Sequence, residues 1–192
     1  MAIVYKQPLV PLDLNKVFFL IIHHIEARIA TPEDIDAWHI AKGWNGAGYN
    51  EYIRKSGECI IMRGDNIGAQ CLNMNSKSYG IALEGNYSIE TTMPDAQMKT
   101  LVARLQYHKT RMPNKVEIVK HSQFVHTSCP GEFFPFQMML GLVEFNIDSA
   151  IQKLTQNGVL TTPEYWAANA IPGKTCSGEF VGKLLVRFAN KI

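Results

Sequence analysis

The stretch HSQFVHTSCPG, residues 121–131, concentrates side chains that can bind a metal or attack a substrate. His121 and Cys129 are eight residues apart, which is loose for a structural zinc site, because such sites use four close-set ligands. A catalytic zinc site needs three protein ligands and leaves a fourth position open. The third ligand would come from another element. His23 is the candidate, because it follows the apolar run VFFLII, where a polar side chain needs a reason.

Spacing alone leaves other interpretations of these residues open. Cys129 could be the nucleophile of a Cys–His peptidase, although Pro130 directly after it lacks the backbone amide that helps to lower a thiol pKa. His24 and His39 could be ordinary core or helix-face histidines with satisfied hydrogen bonds. His126 is predicted to be a loop residue rather than a ligand.

Length and composition indicate a globular protein with one main domain and at most a small appendage. The chain has 192 residues, of which 46% are hydrophobic and 19% charged, and this composition excludes an intrinsically disordered protein. A net charge of +2 is too small to indicate a nucleic-acid partner. The four cysteines are widely spaced and form no CxxC pair, so free thiols are expected: Cys59, Cys71, Cys129 and Cys176.

The N-terminal residues MAIVYKQPLVPLDLNK lack the basic start and small-residue cleavage site of a signal peptide. The run VFFLII at 17–22 has six residues, which is too short to cross a bilayer, so no membrane insertion is expected. We therefore predict a protein that is cytoplasmic and reduced as synthesised.

The periodicity of apolar residues predicts an α/β domain, because strands alternate with helices along the chain. Thr31-Pro32 has the residue types of a helix start, and Gly43 is typical of a helix end. After residue 145 only helical patterns follow. The sequence thus predicts a main domain over 1–145 and a small helical module over 146–192. Within the main domain we predict a strand at 17–22, a helix from 31 to 43, a hairpin of 52–53 with 59–62, a strand at 79–84, a helix at 94–109 and a strand at 116–119.

Five blocks, taken together and in order, resemble the type 2 zinc N-acetylmuramoyl-L-alanine amidases. That family includes phage lysozyme amidases and peptidoglycan recognition proteins. The resemblance covers roughly residues 15–137 and implies a mixed central sheet flanked by helices. The blocks are IIHHIEA (21–27), WHIAKGWNGAGYN (38–50), MRGDNIGAQ (62–70), NSKSYGIALEGNY (75–87) and HSQFVHTSCPG (121–131).

The resemblance assigns roles to five residues of this chain. The family's zinc ligands fall on His23, His121 and Cys129, so Zn²⁺ is the implied cofactor. The tyrosine of the family's G-Y block falls on Tyr49, which we predict to donate a hydrogen bond to the reacting carbonyl. The position two before the cysteine is Thr127, as in the recognition-protein type, and it is predicted to face the reaction.

Two features depart from the family pattern. Some cytoplasmic recycling relatives carry a catalytic Glu where this chain has Ala82, which argues against that branch, although Glu84 lies two residues on and could share its face. The family often has His where this chain has Gln70, and a polar substrate contact is still predicted there.

Three further residues are predicted to line the substrate groove. Asn75 could hydrogen-bond the stem peptide and Arg63 could pair with one of its carboxylates. The alternatives are a turn residue for Asn75 and a surface charge for Arg63. His39 is the third predicted groove residue.

The implied activity is hydrolysis of the amide between muramic acid and L-alanine in bacterial peptidoglycan. Without a signal peptide, we expect a phage or prophage endolysin that reaches the wall after release. The C-terminal module weakly resembles helical modules of lysins, and wall binding or homodimerisation are hypotheses for it. The rival class is a non-catalytic recognition protein. Such proteins typically lose the cysteine ligand, so Cys129 favours an enzyme.

Overall fold

The computed structural model describes residues 3, 5–144, 147–170 and 174–190, without the side chains of 147–149. The chain divides into two compact units, one ending at Val143 and the other beginning at Glu144. The predicted boundary, after residue 145, lies two positions later. Among the described helices, none is long and apolar enough to cross a membrane.

The first unit is built on a five-stranded mixed sheet with the order β3-β2-β4-β1-β5. β1 lies between β4 and β5 and is parallel to both, while β3 is an antiparallel edge strand paired with β2. The predicted α/β fold with a mixed central sheet is confirmed. The strands are β1 (Phe19–His24), β2 (Glu51–Ile53), β3 (Cys59–Ile61), β4 (Ser78–Leu83) and β5 (Glu117–Lys120).

Six α-helices complete the described fold. The predicted start of the first is confirmed, since Thr31 and Asp34 form a capping box in which each side chain bonds the other's backbone N–H. This helix ends beside Gly43, whose φ of 82° suits glycine. The helices are α1 (Pro32–Ala41), α2 (Asp95–Arg111), α3 (Phe136–Val143), α4 (Ile147–Gln156), α5 (Pro163–Asn169) and α6 (Gly178–Ala189).

Alternation along β1 divides its side chains between two cores on opposite faces of the sheet. Leu20 and Ile22 pack with Leu101 and Leu105 of α2. Ile21 lies on the other face, and His23, two residues further along the strand, is on the same face as Ile21. The strand therefore directs His23 away from the α2 core. α3, which the sequence analysis did not predict, adds Met139 to the α2 side.

A buried ion pair ties β2 to α2. The carboxylate of Glu51 is fully buried and accepts hydrogen bonds from Arg104, from His108 at 2.9 Å and from Tyr79 at 3.1 Å. Burial alone would raise the pKa of Glu51, but the hydrogen bonds from His108 and Arg104 outweigh it and lower the pKa to about 2.

We expect Glu51→Gln to lower the free energy of unfolding by about 2–4 kcal/mol at pH 7, because it leaves Arg104 without its carboxylate partner. The pKa of Glu51 is lower in the folded protein than its unfolded value of 4.5. The ionised carboxylate therefore stabilises the fold fully above pH 4.5, and this stabilisation is lost as pH falls towards 2. The difference from wild type should therefore shrink below pH 4.5, by roughly 1.4 kcal/mol per pH unit. Urea unfolding at several pH values measures this.

Glu58→Gln is the matched control, because the Glu58 side chain is 58% exposed and its partner is the surface residue Arg54. We expect this change to have almost no effect at any pH. A Glu51→Gln protein with a pH-independent deficit would contradict the assigned ion pair.

The second unit has a small core of its own. Ile151 of α4, Leu160 and Trp166 of α5 are buried together, and Tyr165 stacks on Phe180 of α6 with ring centroids 3.7 Å apart. The helical character predicted for this module agrees with the structure. Its predicted wall-binding or dimerising role stays a prediction.

Candidate active site

The strand register brings the two predicted histidine ligands together. Parallel β1 and β5 pair Ile22 with Lys120, so His23 and His121 are the next residues on neighbouring strands. Their ring centroids are 4.3 Å apart. Both lie where parallel strands reach their carboxyl ends, the usual place for functional residues in an α/β sheet.

Cys129 returns to the same strand ends through the loop that follows His121. The Ser122 N–H donates to the Cys129 carbonyl at 3.0 Å, which ties the start of the loop to its end. Gly131, with φ of 104°, then turns the chain against Tyr87, where a Cβ atom would lie 2.3 Å from the Tyr87 carbonyl carbon. Only glycine fits this close approach.

The three side chains could hold a metal ion. One ligand atom from each of His23, His121 and Cys129 can be chosen so that all lie within 4.8 Å of one another. The Cys129 Sγ lies 3.8 Å from His23 Nδ1. Zinc bonds of about 2.3 Å to sulfur and about 2.0 Å to nitrogen would place such atoms roughly 3.6 Å apart in a tetrahedral site. The Cys129–His23 distance therefore fits zinc, and the three side chains could serve together as its protein ligands.

Burial sets the protonation states of this group. It lowers the pKa of His23 well below the usual range, with a further contribution from His121, and it lowers the pKa of His121 too. It raises the pKa of the Cys129 thiol to about 12. Both imidazoles are thus in the neutral form that binds metals, whereas the thiol becomes a thiolate only when a cation or another partner compensates its charge.

His23, His121 and Cys129 form a candidate metal-binding group. They line a pocket of about 210 Å³ that Tyr49 and Thr127 also line. The Tyr49 ring centroid lies 5.1 Å from that of His23. Burial and the neighbouring Cys129 raise the pKa of Tyr49, so its hydroxyl keeps its proton. Thr127 Oγ1 accepts a hydrogen bond of 3.2 Å from the Cys129 N–H, which holds the Thr127 side chain at the backbone of the cysteine.

His39 lies on the wall of the same pocket, where its ring contacts two aromatic rings that are tilted against it. Its ring centroid lies 4.6 Å from that of Trp44 and 5.3 Å from that of Tyr49. Its Nδ1 accepts the Gly48 N–H at 2.8 Å, so the proton of the neutral ring is on Nε2. Burial, with Lys42 and Arg63, lowers the pKa of His39 to about 4. His39 is therefore a neutral donor at the pocket wall.

Arg63 and Asn75 line an adjoining groove of about 580 Å³, and their side chains also bind backbone groups. Arg63 is 7% exposed, so it is not a surface charge; it donates to the carbonyls of Ala47 and Ile67. Asn75 Oδ1 accepts the N–H groups of Gln70 and Cys71. These bonds stabilise the loops around the groove, and substrate contact by either residue stays a prediction.

One acidic side chain in the pocket is not among the residues predicted from the sequence. Glu26 is the sole carboxylate among the residues described as lining it, and its φ of 56° is unusual for a non-glycine residue. Its Oε1 lies 3.7 Å from Nε2 of His24, a buried atom without a hydrogen-bond partner among the described residues. Glu26 lies two residues after the end of β1, and no spacing rule in the sequence marks it as a pocket residue.

Comparison with known proteins now decides the family. A family model described as N-acetylmuramoyl-L-alanine amidase matches residues 13–132, which include the three clustered side chains. The chain belongs to this amidase family. The match covers the sheet and its pocket and ends before α3.

The curated proteins similar to this chain include both amidases and peptidoglycan recognition proteins. Peptidoglycan-recognition protein SC2 of Drosophila melanogaster is 33% identical over 129 residues, which are 61% of this chain and 70% of that protein. An N-acetylmuramoyl-L-alanine amidase of Sus scrofa is 28% identical over 68% of this chain, but the match spans only 24% of that longer protein.

Solved structures of similar proteins have the same fold as this chain. The amidase LysC of Clostridium intestinale has a TM-score of 0.67 and 29% identity, over 74% of this chain and 94% of that one. A peptidoglycan recognition protein LE in complex with tracheal cytotoxin, a monomeric diaminopimelic acid-type peptidoglycan, has a TM-score of 0.66 over 78% of this chain and 94% of that one. At 22% sequence identity, the likeness to this recognition protein shows a shared fold and nothing about function.

Proposed function

We propose that this protein is a zinc-dependent N-acetylmuramoyl-L-alanine amidase that cleaves the amide between N-acetylmuramic acid and L-alanine in bacterial peptidoglycan. The observation that carries the proposal is the group of His23, His121 and Cys129 at a pocket of a chain from this family. Three ligands leave one tetrahedral position for the reaction.

The residues around the group have separate tasks in this proposal. His23, His121 and Cys129 hold the metal, which when bound supplies an activated water and polarises the carbonyl. Tyr49 keeps its hydroxyl proton and donates a hydrogen bond to the carbonyl oxygen as negative charge develops on it. Thr127 holds the Cys129 loop through the N–H of that residue and presents its hydroxyl to the same pocket.

The environment of Cys129 supports a metal ligand over a peptidase nucleophile. A nucleophilic cysteine needs a lowered pKa, whereas burial raises that of Cys129 to about 12. Pairing with a neutral His23 does not offset this, because burial also disfavours the imidazolium form. The complete ligand set also favours an amidase over a recognition protein without activity.

A role in host-cell lysis is part of the proposal. One related structure, 29% identical over 92% of its length, is described as an endolysin amidase of Clostridium intestinale. We propose that this protein is likewise made in the cytoplasm and acts on the wall after release.

Chelation tests the proposal with purified peptidoglycan as substrate. We expect the protein to solubilise the polymer, to lose this activity on complete metal removal, and to regain it with zinc but not magnesium, because the ligands are nitrogen and sulfur. Activity that survives complete metal removal would indicate the peptidase. Tight binding without solubilisation would indicate a recognition protein.

A further inference from the structure

Gln70 contacts the buried His23 on the side of the imidazole ring that faces away from Cys129. The Oε1 atom of Gln70 lies 2.5 Å from His23 Nε2, while Nδ1 lies 3.8 Å from the Cys129 sulfur. An amide oxygen can only accept a hydrogen bond, so Nε2 must carry the ring proton. The lone pair of Nδ1 is then available, on the Cys129 side of the ring, to bind a metal ion.

A chain of hydrogen bonds determines which end of the Gln70 amide faces the histidine. The Ser78 hydroxyl lies 2.8 Å from the Met74 carbonyl, which can only accept, so the hydroxyl hydrogen is used there. Ser78 Oγ must then accept from Gln70 Nε2, also at 2.8 Å. This places the amide oxygen of Gln70 against His23, and the chain has one consistent direction from His23 to Met74.

The backbone around Gln70 is shaped to hold its side chain in this position. A Cβ atom on Gly80 of β4 would lie 2.6 Å from Cγ of Gln70, so the side chain lies flat against a strand position without a side chain. Asn75 Oδ1 fixes the backbone by accepting the Gln70 N–H at 2.9 Å. Gln70 is 6% exposed, which leaves little of it for substrate.

We infer that Gln70 is a positioning residue that holds His23 in the Nε2–H tautomer and thereby reserves Nδ1 for the metal. This inference rests on the proposed function for its metal, and it gives Gln70 a role other than the predicted contact with substrate. Partners of this kind on a metal-ligating histidine fix the ring and its tautomer, and losing them typically weakens metal binding 10–100-fold.

Two variants and one control test the inference. Gln70→Leu removes the acceptor at similar size, whereas Gln70→Glu keeps an acceptor for Nε2–H. The control is Gln97→Leu, the same change at a second buried glutamine, whose amide donates to the carbonyls of Ile53 and Glu84 on the α2 side. Zinc affinity is measured by competition with a chromophoric chelator. KM is measured with a soluble muropeptide at saturating zinc.

We expect Gln70→Leu to bind zinc about 10–100-fold more weakly with KM nearly unchanged. Gln70→Glu should stay within a few-fold of wild type, and Gln97→Leu should bind zinc normally even if it is less stable. A Gln70→Leu protein with normal zinc affinity and a raised KM would overturn the inference and restore the substrate contact.

A metal-free measurement separates this inference from the proposed function. In the ¹⁵N spectrum of the histidine rings, wild-type His23 should be in the Nε2–H tautomer, and Gln70→Leu should shift it towards Nδ1–H or a mixture. An unchanged tautomer in that folded variant would overturn the inference. If the wild-type protein binds no zinc or cuts no peptidoglycan, the proposed function fails, yet the tautomer still decides whether Gln70 positions His23.

Discussion

Cys129→Ser is expected to abolish zinc binding at neutral pH and to lower amidase activity by at least about 1,000-fold. A serine hydroxyl resists deprotonation far more than a thiol, so only two ligands of the group would remain. The fold should survive, because Ser can still donate to the His24 carbonyl that Cys129 Sγ contacts at 3.9 Å. Metal content by mass spectrometry and rates on purified peptidoglycan measure the effect.

Cys59→Ser is the control for this prediction. Cys59 is a half-buried free thiol on the edge strand β3, outside the metal-binding group. It should keep both zinc and activity. Full activity of Cys129→Ser without zinc would contradict the metal mechanism.

Tyr49→Phe is expected to lower kcat by about 100–1,000-fold while zinc stays bound. The change removes one hydrogen-bond donor to the developing oxyanion, and losing such a donor typically costs about 3–4 kcal/mol in the transition state. The aromatic contact with His23 is kept, so the metal site should be undisturbed. Steady-state kinetics together with zinc content separate the two effects.

The pH profile of the wild type gives Tyr49 a second test. Burial and Cys129 raise the pKa of the phenol, so Tyr49 stays a donor throughout the neutral range. We expect no loss of activity attributable to Tyr49 ionisation up to pH 10. Tyr107→Phe, at an exposed tyrosine on α2, is the control and should be fully active. Undiminished turnover in Tyr49→Phe would refute the assigned role.

The candidate metal-binding group of His23, His121 and Cys129 could be anticipated because simple patterns place its members. His23 follows an apolar run, and His121 follows a second strand pattern, so parallel pairing was enough to bring them together. Spacing from His121 also nominated Cys129 but left a peptidase nucleophile open, because the path of its loop depends on contacts such as that of Gly131 with Tyr87. No periodicity encodes such a contact.

The partners of the groove residues could not be predicted in the same way. Arg63 and Gln70 bind groups that are distant in sequence or on another element, and residue type alone does not tell which groups come near them.

The helix α3 was not predicted for another reason. Its sequence FQMMLGLV is apolar on most positions, and a short apolar run shows no period that separates a buried helix from a strand.

The most direct measurement of the central claim is the chemical identity of the bond that is cut. Purified peptidoglycan is digested by the zinc-loaded protein, and the fragments are analysed by mass spectrometry. We predict free stem peptides that begin with L-alanine, together with glycan strands of unchanged length. Shortened glycan strands, or cleaved peptide cross-links with the muramic acid–L-alanine amide intact, would contradict the assignment of an amidase.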